Sequence, residues 1–194
     1  ALTANTTADN CTAVGYGALQ ANTTGTQNTT VGKTSLQANT DGQYNSALGS
    51  SALYSNTGGD HNTALGRTAL YANTTAHYNT AVGSNALGAN TTGAGNVALG
   101  ANALDANTTA SNSVAIGYGA LGSNTTGEVN TAVGQDALTS NTTGTRNVSL
   151  GREALKANTT ADDNTGLGFK ALLSNTTGTQ NTAVGAYVLD ASNG

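Results

Sequence analysis

Asn73-Thr74-Thr75-Ala76-His77-Tyr78-Asn79-Thr80-Ala81-Val82-Gly83-Ser84-Asn85-Ala86-Leu87-Gly88-Ala89 decides the reading of this chain, because the same frame restarts at Asn90 and had already started at Asn56. Outward from it, Asn recurs at Asn5, Asn22, Asn39, Asn56, Asn73, Asn90, Asn107, Asn124, Asn141, Asn158 and Asn175, always 17 residues apart and without insertion or deletion. A fixed short period is the signature of a solenoid, in which each unit buries its apolar face against its neighbours. The unit reads N-T-[T]-[GA]-x-x-N-[TV]-A-[VLI]-G-x-x-A-L-x-[AS], and residues 5–191 hold eleven copies. Positions below are counted from that Asn.

A helical unit does not fit. Glycine at position 11 and the Asn-Thr-Thr-Gly break leave no segment of even ~8 residues for a helix. Short strands fit better, one on positions 7–11 (Asn79–Gly83) and one on positions 13–17 (Asn85–Ala89), with the Asn-Thr-Thr-Gly stretch as the closing loop. Coils stacked in parallel at about 4.8 Å would make a rod of roughly 50 Å. The expected fold is therefore all-β, a parallel β-solenoid or β-roll of eleven 17-residue coils, forming one repeat domain over residues 1–194. The absence of proline agrees, since every backbone N–H is needed for ladders and turns.

Position 10 is always aliphatic and position 15 always leucine. They are expected to form the two walls of the core, as Val14 with Leu19, Val82 with Leu87 and Ile116 with Leu121. Glycine at position 11, from Gly15 to Gly185, marks a corner. Position 9 lies on the opposite strand face from position 10, yet it is alanine in eight copies: Ala13, Ala47, Ala64, Ala81, Ala98, Ala115, Ala132 and Ala183. Small residues on a nominally outer face predict close packing of another rod, hence a homo-oligomer with that rank as its interface. The other reading is that alanine suits a narrow coil interior.

Composition bounds the function. Only 8% of residues are charged and 4% aromatic, with 26 glycines and no Pro, Met or Trp. Disorder would bring high net charge or proline, so regularity must supply the stability. A net charge of −4 offers no basic stripe for nucleic acid or an anionic membrane. No run approaches the ~18 apolar residues of a membrane span, so no membrane contact is expected within this segment. Cys11 is the single cysteine, which rules out an intramolecular disulfide. The opening Ala1-Leu2-Thr3 has no charged or apolar leader, and the chain reads as part of a longer fibre.

Asn112-Ser113-Val114-Ala115-Ile116-Gly117, Asn79-Thr80-Ala81-Val82-Gly83 and Asn181-Thr182-Ala183-Val184-Gly185 resemble the S-V-A-I-G motif of YadA-like trimeric autotransporter adhesin heads. They are also similar to the N-T-A-I-G repeats of tail-fibre-type proteins. The resemblance covers essentially the whole chain. It implies a left-handed β-roll, three identical chains about one axis, and an adhesive or structural role at a cell surface or on a virion fibre. The coil here is longer than in typical adhesin heads, the extra residues lying in the Asn-Thr-Thr-Gly loop.

Sequons stand at Asn5, Asn22, Asn73, Asn90, Asn107, Asn124, Asn141, Asn158 and Asn175, and also at Asn10, Asn28 and Asn147. Glycosylation would coat one edge of the rod. Hydrogen-bond ladders of stacked Asn are the stronger expectation, because Asn39 and Asn56 keep Asn-Thr while losing the sequon.

Threonine fills position 2 throughout and position 8 in seven copies, which raises recognition of ice as an alternative, although the two ranks lie in different parts of the coil. His61, His77 and Asp60 are too few and too irregular for a repeated metal site. The pairs Gly15–Gly17 and Gly117–Gly119 lack the third glycine of a phosphate loop. No cofactor and no catalytic arrangement is expected, since a thin solenoid offers no deep cleft.

If a glycan or receptor is bound, the edges with Tyr16, Tyr118 and Phe169 at position 12 and Tyr54 and Tyr71 at position 16 are the places for it. No single coil stands apart, which favours self-association or a periodic target. The expected role is thus a structural or adhesive extracellular fibre segment, with a repetitive face for ice or carbohydrate as the alternative.

Overall fold

The computed structural model describes residues 1–190 as eleven three-residue strands, from β1 (Thr12–Val14) to β11 (Thr182–Val184), in one parallel sheet whose spatial order follows the sequence. The register is constant: Thr12 pairs Thr29 and Val14 pairs Val31 at one end, Thr165 pairs Thr182 and Leu167 pairs Val184 at the other. Each coil thus lays the same repeat position over its copy, as the 17-residue period requires.

The core is a column of leucines and alanines. Leu19, Leu87 and Leu121 are buried, as expected, with every other position-15 leucine from Leu36 to Leu172. The opposite wall is the alanine rank, not the aliphatic one. Ala47, Ala64, Ala81, Ala98, Ala115, Ala132 and Ala183 are buried, and Ala13 is half-buried against the same cluster. Val14 is 56% exposed, Leu48 48% and Leu99 46%, while Val82 and Ile116 are half-buried. The expected placement of Val14, Val82 and Ile116 in the core and of the alanines on an interface is therefore reversed. The coil is too thin to face a leucine with a second branched side chain. At Gly166, a Cβ would already lie 3.2 Å from Leu155 Cγ.

The second expected strand is also corrected. Positions 13 and 15 are left-handed, with φ 61° at Asn85 and 51° at Leu87 in the central coil. The backbone there turns instead of pleating, although it still bonds between coils, as in Leu87 N–H to Ala103 O at 3.0 Å and Ala89 N–H to Asp105 O at 3.0 Å. Alternation of faces belongs to a pleated backbone. Without it, neighbours Ala86 and Leu87 both point inward and are both fully buried.

The corner at position 11 does need glycine. Gly83 has φ +135°, and an added Cβ would sit 2.6 Å from the carbonyl carbon and oxygen of Gly100 in the next coil.

Candidate functional site

Two kinds of surface follow from this coil: ladders that consume their own polar groups, and a sheet face that leaves its side chains free. The position-1 asparagines are a ladder. Each Nδ2 from Asn39 to Asn175 donates to the Oδ1 of the Asn one coil before, at 2.7–3.3 Å. The same Nδ2 also reaches a carbonyl three residues on, as Asn107 does to Ala110 O at 3.0 Å. Asn22, Asn73, Asn90, Asn107, Asn124, Asn141, Asn158 and Asn175 are fully buried. A glycan on Nδ2 would take one of its two amide hydrogens out of this buried ladder. Asn5 and Asn10 are exposed, whereas Asn28 and Asn147 are buried.

Position 7 carries a second ladder. Asn45 N–H donates to Asn28 Oδ1 at 2.9 Å, and Asn45 Nδ2 donates to Gly59 O at 2.8 Å. Ser113 takes over the role with its hydroxyl, which accepts from Asn130 N–H at 3.2 Å. At position 2, every threonine hydroxyl from Thr6 to Thr159 donates to the carbonyl of the threonine one coil on, for example Thr91 to Thr108 O at 2.9 Å. That threonine rank stitches coils together and has no hydroxyl hydrogen to offer a ligand.

The outer sheet face differs. Positions 8 and 10 flank the inward position 9, so threonine, valine or, at Ser46, serine stands beside an aliphatic residue in every strand. In β3 (Ser46–Leu48), β4 (Thr63–Leu65) and β6 (Val97–Leu99) both outer residues are exposed around a buried alanine. No charged residue occupies either position in any coil. Thr29, Val31, Ser46, Leu48, Thr63 and Leu65 frame a shallow apolar groove on it. This is a continuous, uncharged, aliphatic strip along the rod.

The edges carry local clusters. Tyr44, His61 and Tyr78 stack at position 6, with ring centroids 4.6 and 5.1 Å apart. Asp60 N–H donates to His77 Nδ1 at 2.9 Å. The histidines thus go to stacking and capping, and among the described residues no three His, Cys, Asp or Glu side chains converge to hold a metal.

Arg146 grips Asp163 through Nε at 2.7 Å and Nη2 at 2.9 Å, which holds the Asp163 carboxyl below its ordinary range. Glu153 lies between Arg152 (2.9 Å) and Lys170 (3.5 Å). Burial pushes its carboxyl up, but the Arg152 hydrogen bond and the charges of Lys156, Arg152 and Lys170 together outweigh that and hold it low. Arg152 and Lys170 also lie 5.8 and 5.3 Å from the Phe169 ring centroid. Tyr54 and Tyr71 stack at 5.1 Å on the position-16 edge.

Fold and surface together define the class: a parallel β-solenoid repeat protein of eleven 17-residue coils with an aliphatic outer face. No family model, no curated protein and no solved structure matches the chain. Among the described residues no helix is long and apolar enough to cross a membrane.

Proposed function

We propose that the chain is a non-enzymatic rod segment of an extracellular or virion fibre, and that it self-associates through the outer face of positions 8 and 10. The observation that carries this reading is the uncharged aliphatic rank on the outer sheet face from Val14 to Val184, exposed in eight coils and half-buried at Val82, Ile116 and Val133. Contiguous exposed apolar strips of that kind mark association surfaces. Eleven strands at about 4.8 Å, each about 10 Å long, give a strip of roughly 500 Å² per rod. That is short of the ~800 Å² per partner of a stable pair. Contact grows with every coil, so a longer fibre associates more tightly, and a bundle in which each rod touches two others doubles the area.

The resemblance to YadA-like heads and tail-fibre repeats supports a bundle of three, with adhesion as its use. The coil chemistry agrees with a mechanical role. Ladders of Asn, Thr and backbone bonds run the length of the rod, so each junction between coils divides an axial load among several bonds.

Light scattering tests the reading. The wild-type segment is expected to assemble above its 19.0 kDa chain mass, and Leu48→Asn/Leu65→Asn/Leu99→Asn to remain folded and monomeric. A folded wild-type monomer at all concentrations would refute it. Position-8 threonines share this same outer face, so thermal hysteresis by that monomer would instead establish ice as the periodic target.

A further inference from the structure

One stretch of the rod does differ from the rest. A groove of about 460 Å³ runs along the position-16 edge of the first coils, lined by Thr3, Gln20, Gln37, Ala21, Ala38 and Tyr54 among others. Its size is that of small-ligand sites.

Its chemistry is specific. The floor is alanine and no charged side chain lines it. One wall is an amide pair in which Gln37 Nε2 donates to Gln20 Oε1 at 2.9 Å. That bond pairs the two side chains and leaves the Gln20 amide hydrogens and Gln37 Oε1 for a ligand, a donor beside an acceptor. The end wall is the Tyr54 ring. One of its faces is covered by Tyr71, nearly parallel at 5.1 Å, so the other borders the groove. Beyond Tyr71 the coils place Gly88, Asp105, Gly122, Thr139, Lys156, Leu173 and Asp190 at this position, so neither amide pair nor ring recurs past it.

We infer that this groove is a binding subsite for a neutral saccharide. A sugar ring offers hydroxyls that both donate and accept, matched by the paired amides, and a C–H face that packs on an aromatic ring. An uncharged lining leaves an acidic sugar without a counter-charge. The inference gives the adhesive reading its ligand class and rests on that reading, but it uses the edge and not the outer sheet face. The two are therefore separable.

Saturation-transfer NMR of the intact segment with lactose, maltose, cellobiose and chitobiose at millimolar concentration tests it, with a glucuronic-acid disaccharide as the charged arm. Transfer to the ring C–H protons of at least one neutral sugar is expected. Tyr54→Leu should weaken it at least about fivefold. The fold should hold, because Leu173 fills the same repeat position. Tyr118→Ala, on another edge, should leave transfer unchanged. Absence of transfer to all four neutral sugars, transfer undiminished in Tyr54→Leu, or transfer only to the charged sugar would overturn the inference. Light scattering on the same samples reports self-association independently, so a monomer that still binds sugar removes the bundle and keeps the groove.

Discussion

Thr30 donates its hydroxyl to Ser35, and this pair takes the place that two facing alanines hold in most coils. Ser35 in turn donates to Gly32 O at 2.9 Å. Both side chains are fully buried, and the serine occurs at position 14 only in the coil whose position 9 is threonine. The interior thus tolerates a hydroxyl when a second one answers it. Ser149 solves the same problem alone by donating to Ala154 O at 2.7 Å.

A double-mutant cycle follows from that pair. Thr30→Ala and Ser35→Ala singly should each destabilise, and the double variant should cost less than their sum, with a coupling of about 1 kcal/mol. Urea denaturation of the four proteins measures it. Additive effects would mean the hydroxyls do not interact.

Inside and outside should separate by mutational cost. Leu87→Ala, fully buried, is expected to lose about 3 kcal/mol. Leu65→Ala, 41% exposed, should lose under about 1 kcal/mol from the isolated chain while weakening association. Chemical unfolding at low concentration, beside light scattering, checks both.

Breaking the buried ladder should be severe. Asn107→Ala strands Asn90 Oδ1, to which Nδ2 donates at 2.8 Å, while Ala110 O keeps the bond it accepts from Asn96 Nδ2 at 2.8 Å. One buried acceptor without a partner costs about 1–3 kcal/mol. Unfolding midpoints should show that loss, whereas Asn5→Ala, at an exposed position, should change little.

Much of this was legible in the sequence, and where it was not the reason is local. Period, parallel stacking, the glycine corner, the leucine column and the Asn ladders follow from residue types at fixed spacing. The inward face does not. Val82 and Ala81 compete for it, and the larger side chain is the usual choice. Only the coil's thinness, visible once Leu87 fills the interior, sends valine out. The left-handed backbone at Leu87 carried no signal at all, because leucine has no preference for it. The edge groove was half visible, as Tyr54 and Tyr71 were marked but the Gln20–Gln37 amide pair beside them was not.

Left-handed positions also predict a gain. Val129 is β-branched, 51% exposed and held at φ 59°. Val129→Gly removes the Cβ that makes this region unfavourable and should stabilise the rod by about 1 kcal/mol. A raised thermal midpoint would show it, and a lowered one would argue against strain at that turn.

Acidification should weaken the rod through Asp163. Its folded carboxyl titrates below the unfolded one because Arg146 hydrogen-bonds and faces it. That contribution is present above the unfolded value of about 3.9 and is lost as pH falls through the folded value. Both groups sit at the surface and salt screens the pair, so the effect is modest. Arg146→Gln should lower stability at neutral pH and shrink the loss between neutral and acidic buffer.

Thiol labelling tests the central claim most directly, namely that alanine faces inward and the aliphatic rank faces out into an association surface. In a Cys11→Ser background, Ala98→Cys and Leu99→Cys place a thiol on adjacent residues of one strand. The account predicts that the thiol at 98 reacts only on unfolding, while that at 99 reacts rapidly in dilute protein and becomes protected as concentration rises. Rapid reaction at 98 with protection at 99 in dilute protein would contradict it.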